Sequence, residues 1–154
     1  MSEDVSTSKG GRPPSDPPSA DAPVTILLYS SNRLTRENVR LALGGKVASD
    51  LPPISVVEVA TQPAVLSAMD EGGIDLAILD GEAVPGGMGL CRQLKDEIVR
   101  CPPILVLTGR PQDAWLATWS RADAAVPHPL DPVQLAEAVI SLLRPTTAVE
   151  PTAR

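Results

Sequence analysis

Apolar residues fall in short runs separated by longer amphipathic stretches, from Val24 to about Arg144. VTILLY (24–29) is a continuous run, as expected of a strand covered on both faces in a parallel sheet. The stretch 33–43 is helical, with Val39, Ala42 and Leu43 on one side and Gly44 as the stop. ISVVEVA (54–60) alternates but is interrupted by Ser55 and Glu58, which predicts a strand nearer a sheet edge. Thr61 then caps a helix that accepts Pro63 in its first turn, carries Val65, Leu66 and Met69, and ends at Gly72 and Gly73. IDLAILD (74–80) and PILVLT (103–108) are the most hydrophobic runs, hence central strands. Between them GEAVPGGMG reads as a loop, followed by a helix over 90–99. A helix over 113–120, a short strand over 124–126 and a final helix complete the series. That last helix opens with Asp131 as cap and Pro132 in its first turn, and places Val133, Leu135, Ala136, Val139, Ile140 and Leu143 at helical spacing.

Five successive β-α units predict an α/β fold: a five-stranded, parallel, doubly wound sheet with right-handed crossovers and helices on both faces. The predicted organisation is one domain over 23–144. Residues 1–22, MSEDVSTSKGGRPPSDPPSADA, are rich in Ser, Pro, Gly and Asp and cannot offset the entropy of ordering, so a disordered arm is expected. Residues 145–154 form a C-terminal tail, and any output module is expected on another chain.

Composition narrows the function. The chain has 154 residues, 43% of them hydrophobic, enough for one core. Its net charge of -6 lacks the basic balance that phosphate contacts with nucleic acid require. No apolar run approaches the roughly 18 to 20 residues that span a bilayer, and no secretory signal opens the chain, so a cytoplasmic protein without membrane insertion is expected. With two cysteines, Cys91 and Cys101, and one histidine, neither a disulfide framework nor a zinc constellation can be assembled. Both cysteines are expected to be reduced thiols. Phe is absent, and Tyr29, Trp115 and Trp119 are the aromatic residues of the chain.

In an open parallel sheet, sites form beyond the carboxyl ends of the strands, where the strand order reverses. That rim collects Tyr29, Ser30 and Ser31, then Asp80 to Glu82, then Thr108 and Gly109, then His128 and Pro129. Tyr29 is expected to pack with its hydroxyl at the rim, and Ser30 and Ser31 to hydrogen-bond the start of the first helix or its loop. No nucleophile stands beside a base in the sequence, and no glycine-rich phosphate loop follows a strand, so no enzymatic activity is expected.

The motifs LAILDGEAVPGGMGL, ILVLTGR and VPHPLDP, in this order along 23–144, resemble the receiver domains of bacterial two-component response regulators, a flavodoxin-like fold. The resemblance implies that Asp80 stands at the phosphoacceptor aspartate and Thr108 at the hydroxyl residue that responds to the phosphoryl group. It also exposes departures. Ser30 and Ser31 replace an acidic pair that helps bind magnesium, His128 replaces a lysine that meets the phosphoryl oxygen, and Ala125 occupies a position often held by a switch aromatic. The resemblance further suggests a cis bond between His128 and Pro129. Magnesium prefers hard oxygen ligands, and Asp80 with Glu82 nearby offers at most a weak site, so no cofactor is expected.

Trp115 and Trp119 are four residues apart in DAWLATWS and share one face of a helix. They read either as packing against the sheet or as a docking patch, because tryptophan is enriched at binding hot spots. The expectation is a stand-alone, non-catalytic pseudo-receiver that docks on protein partners. SSNRLTRENVRLALG, GGIDLAILDGEAVPGGMG and CPPILVLTGRP resemble, more narrowly, orphan receivers of actinobacterial type associated with the proton-pumping NADH:quinone oxidoreductase, respiratory complex I. This implies a partner among the cytoplasmic subunits of that enzyme. The alternative is a working phosphoryl switch that uses Asp80.

Overall fold

Strands and helices alternate without exception in the computed structural model, which describes residues 22–83, 86–110 and 114–144, apart from the side chains of Ala114 and Leu116. The order is β1 (Val24–Tyr29), α1 (Arg33–Leu43), β2 (Ile54–Val59), α2 (Gln62–Glu71), β3 (Leu76–Asp80), α3 (Gly87–Glu97), β4 (Ile104–Thr108), α4 (Ala114–Trp119), β5 (Ala124–Pro127) and α5 (Pro132–Leu143). The sheet is parallel throughout, in the spatial order β2-β1-β3-β4-β5. This is the predicted five-stranded, doubly wound architecture. The expected arm up to residue 21, the tail 145–154 and the helix start at Asp113 lie outside the described residues.

Alternation along each strand divides the core in two. Leu27, Tyr29, Ala77, Leu79, Ile104 and Val106 meet α2, α3 and α4 through residues such as Val65, Leu90, Leu94 and Ala117. Ile26, Leu28, Ile78, Leu105 and Leu107 point the other way, onto Val39 and Leu43 of α1 and Leu135 and Val139 of α5. Burying each such aliphatic side chain contributes about 1.5–3 kcal/mol, so a core without phenylalanine is made by number rather than by size. Both cysteines are free thiols, and among the described residues no helix is long and apolar enough to cross a membrane.

Several boundaries differ from the sequence reading. α3 begins at Gly87 rather than at 90, because glycine at 87 lets the helix start tuck under the end of β3: a Cβ there would lie 2.6 Å from the Asp80 carbonyl oxygen. It ends at Glu97, with Ile98 extended. β3 starts at Leu76 rather than 74, β4 starts after Pro103, and β5 runs on to Pro127. The helix between β4 and β5 is a six-residue segment.

Candidate functional site

β1 pairs with β2 on one side and β3 on the other, so the carboxyl ends of β1 and β3 sit at the reversal of strand order. Ser30 follows β1 and Asp80 ends β3, and the two side chains meet there. Asp80 is 2% exposed and Ser30 fully buried. The Ser30 hydroxyl donates to Asp80 Oδ2 at 2.7 Å. Its oxygen in turn accepts the Asn32 backbone N–H at 3.0 Å. The Glu82 backbone N–H donates to Asp80 Oδ1 at 2.9 Å, and His128 Nε2 stands 3.3 Å from that same oxygen. Both oxygens of the carboxylate are therefore engaged by this chain. Among the described residues no buried side-chain N or O lacks a hydrogen-bond partner.

The surroundings hold this arrangement in place. Asn32 caps α1, its side-chain oxygen accepting the N–H groups of Leu34 at 2.8 Å and Thr35 at 3.4 Å. Arg36 donates through Nη1 to the Ser30 carbonyl at 2.6 Å and through Nε to Glu58 at 3.1 Å, tying α1 to the ends of β1 and β2. Ser30 makes the bond expected of the serines, taking the N–H of Asn32 at the start of α1, and the cap itself falls to Asn32. Ser30 turns inward to Asp80 and Ser31 is exposed, while Asn32, the residue type favoured at such a cap, closes the helix. Tyr29 is fully buried, and its phenol is pushed above its ordinary pKa first by burial and then by the negative charge of Asp80.

At the other side of the site the His128 N–H bonds the carbonyl of Thr108 at 2.8 Å, and the His128–Pro129 bond is cis. Thr108 is buried at the end of β4. Glu82 is exposed, with its carboxylate so close to Gly109 that any side chain there would overlap it. A shallow cleft of about 220 Å³ opens above, lined by Asn32, Thr35, Asp80, Glu82, Gly109 and His128. Among the described residues no three His, Cys, Asp or Glu side chains stand together at metal-ligating spacing. The donor set presented to a cation is one buried carboxylate already in hydrogen bonds and one exposed one, a poor match to the near-octahedral oxygen shell that magnesium demands.

The tryptophans lie elsewhere. α4 packs on β4, β5 and α3. Trp115 is 66% exposed and Trp119 46% exposed, so neither is packed away against the sheet. The Arg92 guanidinium of α3 lies 4.9 Å from the Trp119 ring centre, and Arg92 Nη1 donates to the Trp119 carbonyl at 2.7 Å. Such stacking fixes one ring and leaves its neighbour accessible. Ala125 is exposed on the adjoining strand. Cys91 is buried on the inner face of α3 with its thiol pushed up to about 11 by burial, the reverse of what a reactive cysteine needs.

No family model matches the chain. Response regulatory proteins of two strains of Mycobacterium tuberculosis, both described as uncharacterized, are 62% identical to it over 128 residues, covering 82% of this chain and 96% of their own length. Among solved structures, the signal receiver domain of a histidine kinase from Syntrophus aciditrophicus superposes with a TM-score of 0.65 at 24% identity, covering 84% of this chain and 94% of its own. The chemotaxis protein CheY4 of Vibrio cholerae does so with a TM-score of 0.63 at 19% identity, covering 79% and 100%. The receiver domain of Ssk1 from Saccharomyces cerevisiae, solved together with the histidine phosphotransfer protein Ypd1, gives 0.66 at 16% identity, covering 78% and 88%.

Proposed function

This chain belongs to the response-regulator receiver family, and on that premise we propose that it is a non-catalytic pseudo-receiver, a cytoplasmic docking subunit whose partner affinity does not depend on phosphorylation of Asp80. The observation that carries the reading is the satisfied carboxylate. Phosphoryl transfer to an aspartate needs a cation to neutralise developing charge and an accessible oxygen to attack. Here one oxygen of Asp80 accepts the Ser30 hydroxyl and the other the Glu82 N–H, with His128 beside it. A donor would have to reach a carboxylate already held by these groups, at a residue that is 2% exposed. Cation binding at Asp80 and Glu82 is expected to be weak at most, and no cofactor is assigned.

The partner we propose is the cytoplasmic part of the proton-pumping NADH:quinone oxidoreductase. The resemblance of SSNRLTRENVRLALG, GGIDLAILDGEAVPGGMG and CPPILVLTGRP to receivers associated with that enzyme supports it. The exposed Trp115 and Trp119 supply the surface, since a large flat side chain at an interface centre contributes on the order of 2 kcal/mol or more. A receiver can meet its partner as a separate chain, as the co-crystal of Ssk1 and Ypd1 illustrates for that pair. The alternative, a phosphorylatable regulator using Asp80, is favoured by the position of Asp80 at the end of β3 and differs in one outcome. Retention of the Asp80→Asn chain in complexes purified from native membranes tests the two: the docking reading expects wild-type retention, whereas a switch loses its regulated state.

A further inference from the structure

The sheet edge opposite β5 carries a feature that the docking reading leaves unused. Among the described residues β2 pairs with β1 alone. The Val24 N–H bonds the Pro53 carbonyl and the Ser30 N–H bonds the Val59 carbonyl, so the odd-numbered residues of this segment turn their peptide groups toward β1. By the alternation of a parallel ladder, the N–H groups of Val56 and Glu58 point to the free edge. That of Ile54 also points outward and is taken by the Gly45 carbonyl at 2.9 Å. An open groove of about 590 Å³ follows this edge, lined by Arg40, Gly44, Gly45, Ile54, Val56 and Glu58. Above it, α1 presents Arg33, Arg36 and Arg40 on one side of the helix. Glu58 receives both Arg36 Nε at 3.1 Å and Arg40 Nη1 at 3.0 Å, so two guanidiniums share one carboxylate. With Arg33 added and Glu37 subtracted, the ledge stays positive on a chain whose net charge is -6.

We propose that the β2 edge receives an extended acidic segment of a partner protein, which adds as a strand beside β2 and sets its carboxylates against Arg40 and Arg33. Side chains of an added strand alternate between the faces of the sheet. Those on the side of α1 meet the arginines, and those on the other side lie beside Ser55 and Val57, which is 38% exposed. The complementary sequence therefore alternates acidic and aliphatic residues. A second copy of this strand, ISVVEV, brings one carboxylate that Arg36 and Arg40 already hold, so pairing between copies lacks the counter-charge. The inference rests on the docking reading for its biological use alone, since it names a partner chemistry at a surface remote from Asp80 and the tryptophans.

The test is a fluorescence anisotropy titration of the full chain against a labelled peptide of about ten residues alternating valine and glutamate, beside its lysine counterpart. Saturable binding of the glutamate peptide, weakened by added salt and about tenfold or more by Arg40→Glu, is expected. Val56→Pro removes an outward N–H at an edge position, where proline is tolerated, and should abolish binding while thermal melting shows a folded chain. If that variant does not fold, Arg40→Glu and amide shift mapping decide, with perturbations expected at Ser55, Val56, Val57 and Glu58. Equal binding of the lysine peptide, indifference to Arg40→Glu, shifts centred on another surface, no binding into the millimolar range, or a concentration-dependent dimer that excludes the peptide would each overturn the proposal. None of these outcomes bears on retention of Asp80→Asn, so the two readings fail separately.

Discussion

Removing the Ser30 hydroxyl is the most informative perturbation, because that group holds one side of the Asp80 carboxylate. Ser30→Ala deletes a 2.7 Å bond to Asp80 Oδ2 and the 3.0 Å bond from the Asn32 N–H. A hydrogen bond to a charged group is worth about 1.5–3 kcal/mol and a neutral one about 0.5–1.5 kcal/mol. The cleft beside Asp80 admits water to part of the site, which recovers some of this, so the expected loss is about 2–3 kcal/mol. For a domain of this size that lowers Tm by about 6–15 °C. Urea denaturation followed by circular dichroism measures it, with the slope unchanged if the denatured state is unaltered. A double-mutant cycle with Asp80→Asn should give a coupling of about 1 kcal/mol or more between the two positions. Ser30→Ala within about 0.5 kcal/mol of the parent, the ordinary range for surface changes, would refute the account of a clamped carboxylate.

Three further outcomes follow from the same geometry. Gly87→Ala should destabilise by about 1–3 kcal/mol through its clash with the Asp80 backbone, whereas Gly89→Ala, where an added Cβ meets nothing within 4 Å, should stabilise the same helix; denaturation of both variants checks the pair. The Cys91 thiol is raised to about 11 from 9.0, so its contribution to stability is complete below pH 9 and is lost as pH rises through about 11; melts across that range should show a decline that Cys91→Ala flattens. Trp115→Ala and Trp119→Ala should each leave the fold intact by circular dichroism and weaken retention in the purified complex by about thirtyfold in affinity, and wild-type retention of both would remove this surface from the interface.

The sequence conveyed the architecture because both sources of order are local. β1 and α1 have the bounds expected from VTILLY and from the run closed by Gly44, since strand burial and helix stop are written in residue type. α3 escaped at its start because Gly87 and Gly89 are poor helix formers whose presence reflects a tertiary contact with the end of β3. The rim positions of Asp80, Thr108 and His128 followed from topology. The direction of Ser30 did not, because two serines after a strand look alike until the packing turns one inward. Asn32 as cap carried a legible signal that the adjacent serines masked. Arg36 reaching both Ser30 and Glu58 joins residues 22 positions apart, beyond any local pattern. The exposure of both tryptophans is likewise set by how the short α4 lies on the sheet.

Intact-mass measurement after incubation with acetyl phosphate and magnesium tests the central claim most directly. The account predicts that the chain keeps its unmodified mass, and that modification appears when Ser30→Asp, Ser31→Asp and His128→Lys are introduced together, since these restore acids for the cation and a permanent charge for the phosphoryl oxygen. Near-complete addition of one phosphoryl group to the unaltered chain, lost in Asp80→Asn, would contradict it.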